Sequence, residues 1–288
     1  MAHADRLPAA RLLGGVPPTA LVLLGIVSVQ VGAAFAKQLF TVAGSAGTVT
    51  LRLVMAALIL VALWRPKIRF DRTLITVAVY GVVLAAMNLC FYAALARIPL
   101  GAAVTIEFLG PLAVAVAGSR RWLDGLWVVL AGAGVVLLTG FQGGLLWTGV
   151  LFALAAGACW AGYILVTAKL GSQTSDGQGL ALAMVVGAVI ALPFGITSAG
   201  TAMLDPLILA AGFAVALMSS VIPYSLELEA LRRMPPRVFG ILMSMEPVVA
   251  AVAGLLLLGE QLKPAQWVAV CCVVIASIGS TRTAKPDV

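Results

Sequence analysis

Apolar runs of about twenty residues recur along the whole chain, separated by short stretches where Lys, Arg, Gly and Pro collect. About twenty helical residues, at a rise of roughly 1.5 Å each, match the hydrocarbon thickness of a bilayer. The pattern predicts ten membrane-spanning segments, near 18–37, 47–64, 73–95, 102–119, 123–140, 148–169, 179–198, 206–230, 238–258 and 265–281. The connections leave no room for a soluble domain. The predicted fold class is therefore an all-α polytopic membrane protein.

One stretch occurs twice. ALARIPLGAAVTIEFLGPLAVAVAGSRRW from Ala94 is answered by ALRRMPPRVFGILMSMEPVVAAVAGLLLLGE from Ala230. A shift of 136 places Leu95 on Leu231, Arg97 on Arg233, Pro99 on Pro235, Pro111 on Pro247 and Gly118 on Gly254. AAFAKQL likewise resembles LVTAKL, with Lys37 on Lys169. The first five segments (18–140) thus match the last five (148–281). Five is odd, so the second half crosses in the opposite sense, as an inverted repeat with a pseudo-two-fold axis in the membrane plane.

Composition agrees with the pattern. The chain of 288 residues is 62% hydrophobic and 10% charged, with a mean hydropathy of +1.12. Soluble domains carry about a quarter charged residues. The net charge of +7 does not imply a nucleic-acid partner, because the basic residues sit in the turns between apolar runs. Taken by alternate connections, one side receives Arg6, Arg11, Arg65, Lys67, Arg69, Arg72, Arg120, Arg121, Lys169, Arg232, Arg233, Arg237, Arg282 and Lys285. The other receives Lys37, Arg97 and Lys263. Fourteen against three puts both termini in the cytoplasm. With no cleavage site after a short apolar segment, the first run is expected to be retained.

Some chemistries are excluded. Cys90, Cys159, Cys271 and Cys272 lie inside apolar runs, and the single histidine is His3, so no metal cluster is expected. An intramembrane enzyme would need a nucleophile–base pair or an HExxH motif, and the apolar runs hold neither. No GxxxxGK[ST] loop is present to bind ATP. No enzyme activity and no cofactor are expected.

The candidates are the polar groups within the apolar runs. Glu107 lies about six residues into its segment, roughly 9 Å deep. An ionised carboxylate there is costly unless paired or facing water. Pro111 lacks an N–H, which frees the carbonyl of Glu107; Pro247 does the same for Met243, next to Glu246. Arg52, at comparable depth, either grips a substrate carboxylate by two parallel bonds or pairs with Glu107. Lys37 ends its segment and is placed to snorkel to the interface. Asn88 and Tyr92 share a helical face, as do Trp160, Tyr163 and Thr167, and Tyr224 and Glu227. Glu227 and Glu229 could instead pair with Arg232 and Arg233.

Together AFAKQLF, TVTLRLV, IEFLGPLAVAVAGSRR, AGACWAGYILV, IPYSLELEALRRMP, ILMSMEPVVAAVAG and LGEQLKP resemble the EamA family of the drug/metabolite transporter superfamily over nearly the whole chain. The resemblance implies a ten-helix bundle of two repeats in a bacterial inner membrane, exporting small amino acids by proton antiport. By position it points to Glu107 before GPLA, Tyr224 and Glu227 in PYSLE, and Glu246 in SMEP. Glu107 falls on Met243 in the other half, so the site is not symmetrical. A cation and an acid at similar depth suit a zwitterion with a small polar side chain, such as threonine or homoserine. The expected partners are that zwitterion, protons and the lipid bilayer, with Glu107 and Glu246 as proton-coupling acids. An EamA-type exporter of a cationic drug, a nucleobase or a nucleotide-sugar is the alternative.

Overall fold

The computed structural model describes residues 15–66, 72–117, 122–139, 145–171, 178–231 and 233–283. Arg6, Arg11, Lys67, Arg69, Arg120, Arg121, Arg232 and Lys285, which entered the charge count, lie outside the described residues, as do the side chains of Arg72, Thr167, Lys169 and Arg237. Among the described residues the chain is helical throughout, with no strand.

Helices α1 (Pro18–Gln38), α2 (Phe40–Trp64) and α3 (Arg72–Leu95) are followed by two short helices, α4 (Leu100–Glu107) and α5 (Leu109–Ala117), and by α6 (Trp122–Thr139). Then come α7 (Trp147–Gly171), α8 (Gln178–Ala199), a 3-10 turn (Gly200–Leu204) and α9 (Pro206–Ala216). A π turn (Leu217–Val221) joins α9 to α10 (Ile222–Leu231). The last helices are α11 (Pro236–Met243), α12 (Glu246–Leu258) and α13 (Pro264–Thr283). Among the described residues, seven helical runs are long and apolar enough to cross a membrane. Three shorter apolar helices, Leu100–Val114, Gly125–Leu138 and Pro264–Gly279, lie on the remaining expected segments. The chain is a membrane protein: large apolar side chains such as Leu58, Val129, Leu151 and Leu256 stand half-exposed or more on its outer faces, where acyl chains solvate them.

Local chemistry sets the boundaries. Proline opens α1, α9 and α13 at the first helical position, where its missing N–H costs nothing. Asp205 caps α9 by accepting from the amides of Leu207 (2.8 Å) and Ile208 (3.3 Å). Gly259 (φ 66°) ends α12 in the left-handed conformation that glycine adopts without strain.

The structure corrects the sequence reading at three segments. Helix α2 starts at Phe40, not near 47, and absorbs a kink at Gly44 (φ 66°, ψ 169°). A Cβ at Gly44 would also lie 2.3 Å from Ser198 Oγ, so both the dihedral and the contact require glycine. The fourth and ninth segments are each two helices, broken at Phe108 and Ser244. Each break lies three residues before a proline, Pro111 or Pro247, whose absent N–H interrupts the ladder there. The breaks share one geometry (φ −63°, ψ −12°) and stand 136 positions apart, the shift of the sequence repeat.

The halves interlock. Helix α2 packs on α8, α4 on α12, α6 on α13, α1 on α10 and α3 on α7. Small residues allow the close approaches: Gly101 lies against Ala251, and Gly110 and Gly157 lie against one another. At one end, Lys37 Nζ donates to Glu260 Oε1 (2.5 Å) and to the Ile98 carbonyl (3.1 Å). The second Glu260 oxygen accepts from the Leu100 amide (2.7 Å). Lys37 therefore does not simply snorkel: the turn at Gly259 brings a carboxylate over the end of α1.

Candidate functional site

A cavity of about 560 Å³ lies between the halves, walled by α1, α2, α3, α4, α5, α7, α10, α11, α12, α13 and the π turn. Arg52, Asn88, Glu107, Trp160, Tyr163, Tyr224, Glu227 and Glu246, all candidates from the sequence, line it. The cavity runs toward the helix ends at Leu231, Phe239 and Thr281, away from the Lys37–Glu260 link.

Arg52 enters from the middle of α2 and is 8% exposed. Its Nε donates to Ser220 Oγ (3.1 Å), Nη2 to the Ser219 carbonyl (2.8 Å) and Nη1 to the Tyr92 hydroxyl (3.3 Å). The π turn supplies both serines; such a turn departs from the regular helical ladder and is frequent at functional sites. Arg52 and Glu107 form no ion pair. The sequence left open whether Arg52 pairs with Glu107, and the geometry leaves the guanidinium facing the cavity. Tyr92, also predicted for the site, is outside the wall. It is fully buried beneath Arg52, its ring centroid 5.6 Å from the guanidinium carbon, and so holds Arg52 in place.

The three acids enter from different directions. Glu107 ends α4, and its backbone carbonyl, freed by Pro111, packs against Gly157 of α7, where an added Cβ would come within 2.7 Å. The freed carbonyl is thus covered by a helix, and the side chain alone reaches the cavity. Glu246 opens α12, with Oε1 accepting from Gln30 Nε2 (3.2 Å). Glu227 faces the cavity from α10, whereas Glu229 forms the ion pair with Arg233 that the sequence had offered to either acid. Trp160 stacks edge-on against Phe108 (5.6 Å, 82°), and Tyr163 leans on Tyr80 (5.1 Å). Asn88 donates to the Leu84 carbonyl one turn back (2.8 Å).

Sequence reasoning missed Gln30 and Ser219 at the cavity, Ser220 behind Arg52, and Glu260 at the closed end. The signal existed: Gln30 and the Ser219–Ser220 pair interrupt apolar runs, and Glu260 belongs to LGE. No cluster of metal-ligating side chains occurs among the described residues. One buried guanidinium and three carboxylates thus line one largely apolar cavity.

Comparison with known proteins follows the same line. Residues 147–282 match the EamA-like transporter family. The threonine/homoserine exporter RhtA of Salmonella typhimurium is 43% identical over 275 residues, covering 94% of this chain and 93% of the relative. That of Escherichia coli K12 is 42% identical over the same coverage. A crystal structure of another protein shares the fold, with a TM-score of 0.61 over 92% of this chain and 97% of its own, at 17% identity. These relatives are transporters and not enzymes, and with such identity over nearly its whole length this chain belongs to the EamA-like transporter family.

Proposed function

We propose that the protein exports small amino acids of the threonine/homoserine type across a bacterial inner membrane, by alternating access coupled to proton antiport. The observation that carries this reading is the single cavity lined by Arg52, Glu107 and Glu246. The guanidinium suits an α-carboxylate and the acids suit an α-ammonium. The names of the 42–43% identical exporters support the same substrate class.

The working design is two inverted five-helix repeats, 18–140 and 148–281, with both termini cytoplasmic. Exchanging the halves turns the α1–α10 contact into the α7–α3 contact and leaves α2–α8 and α6–α13 as they are, which supports the repeat. In this orientation Lys37–Glu260 closes the outer end and the cavity reaches toward the cytoplasm. Glu107 is the first coupling acid: it releases the ammonium on taking a proton from outside and rebinds one after losing it inside. Glu246 is the second.

The test is efflux of labelled threonine and homoserine from proteoliposomes under an imposed pH gradient. Acidifying the receiving compartment should accelerate efflux of both. The excess of acids over cations in the cavity favours one other reading, an organic-cation exporter. Unchanged amino-acid efflux alongside transport of organic cations would establish that alternative.

A further inference from the structure

Three buried polar side-chain atoms among the described residues have no hydrogen-bond partner: Gln30 Oε1, Ser219 Oγ and Glu246 Oε2. All three residues line the cavity, and they are 1%, 2% and 8% exposed. Buried acceptors are nearly always paired, because an unpaired one forfeits its water without replacement. Three such atoms on residues lining one cavity are what a polar ligand could pair.

We propose that Gln30, Ser219 and Glu246 complete, alongside Glu107 in the same cavity lining, the subsite for the substrate's ammonium group, and that Gln30 aims Glu246 at it. The inference rests on the transport reading above and deepens it. A primary ammonium offers three N–H donors from one atom and a full positive charge. Two carbonyl-type acceptors, one of them on a carboxylate, and a hydroxyl match it in number and sign. The Gln30 amide uses its NH₂ on Glu246 Oε1, so its own oxygen is turned elsewhere and Glu246 Oε2 is left for the ligand.

The same serine ties this subsite to the other pole. The Ser219 carbonyl accepts from Arg52 (2.8 Å), while its hydroxyl belongs to the unpartnered trio. In an α-amino acid the ammonium and carboxylate hang on one carbon, so their subsites must adjoin, and Ser219 serves both. The backbone is held for this. Ser28 Oγ donates to the Met218 carbonyl (2.7 Å), and α1 presses so close at Gly32 that a Cβ there would meet Ser219 Oγ at 2.2 Å.

The experiment is equilibrium binding to the purified full chain, with labelled homoserine displaced by two analogues. One is 2,4-dihydroxybutanoate, which replaces the ammonium by a hydroxyl. The other is 3-aminopropan-1-ol, which lacks the carboxylate. Wild type should prefer homoserine to both. Gln30→Met, Ser219→Ala and Glu246→Gln should each shrink the preference over the hydroxy acid, about tenfold or more for the charge-bearing Glu246, and leave the preference over the amino alcohol intact. Arg52→Gln should do the reverse. If the Gln30→Met and Ser219→Ala proteins weaken all three ligands by one common factor, or keep both preferences, the subsite assignment is wrong while the transport reading stands. A wild type that binds none of the three overturns the transport reading itself.

Discussion

Arg52 is held by three hydrogen bonds and a tyrosine face, yet forms no ion pair with Glu107 across the cavity. A buried guanidinium so placed is ready to accept a ligand's carboxylate. Arg52→Gln should therefore weaken homoserine binding by about 10- to 150-fold, the equivalent of one charged hydrogen-bonding contact, as read by equilibrium binding. Glu107 makes a separate test of coupling. Glu107→Gln keeps shape and hydrogen-bonding capacity but cannot change charge. The variant should insert normally, and its efflux should no longer respond to a pH gradient. Gradient-driven efflux at the wild-type rate would remove Glu107 as the coupling acid and leave Glu246 to be tested in the same way.

At the scale of elements, the broken helices carry the site. Pro111 and Pro247 end the short helices at Phe108 and Ser244, and the breaks bring Glu107 and Glu246 to helix ends at the cavity. The α5–α7 contact at Gly110 and Gly157 then seats the break. Gly157→Ala would press a Cβ onto the Glu107 carbonyl, so it should cost about 1–3 kcal/mol of stability, seen as a lower Tm in detergent, and should slow transport with it. The link across the closed end predicts coupling of another kind. Lys37→Met and Glu260→Gln should each lower Tm, by about 1–2 kcal/mol in stability, and the double variant should lose less than their sum. Simple additivity would show that the pair contributes nothing as a pair. The repeat does not duplicate this device: the position of Leu100, whose amide binds Glu260, is taken in the second half by Pro236, which has no N–H.

For the whole molecule, the charge bias predicts both termini on the cytoplasmic side. A reporter active only in the periplasm, fused after Val288, should be silent, and activity there would overturn the orientation. The packing of each half against the other places the cavity at their interface, so the site exists only when both halves are folded together. Alternating access, as proposed above, would rock one half against the other and uncover each end of that cavity in turn.

The sequence by itself determined the class, an all-helical membrane protein, and where most of its apolar helices lie. Hydrophobic length and proline position act locally, so the runs, the paired breaks and the buried charges can be read from residues a few positions apart. It also nominated Arg52, Glu107, Glu227 and Glu246, because ionisable groups in apolar runs are rare and costly. Tertiary structure decided what each touches. Tyr92 shares a helical face with Asn88, but only packing against α2 turns it toward Arg52 and away from the cavity. Gln30 and Glu246 stand 216 positions apart, and no local pattern shows that one aims the other. The bond between Lys37 and Glu260 likewise depends on the meeting of α1 with the turn after α12. A side chain's period fixes its face, whereas its partner is fixed only by which helix arrives opposite, and that depends on the packing of the whole chain.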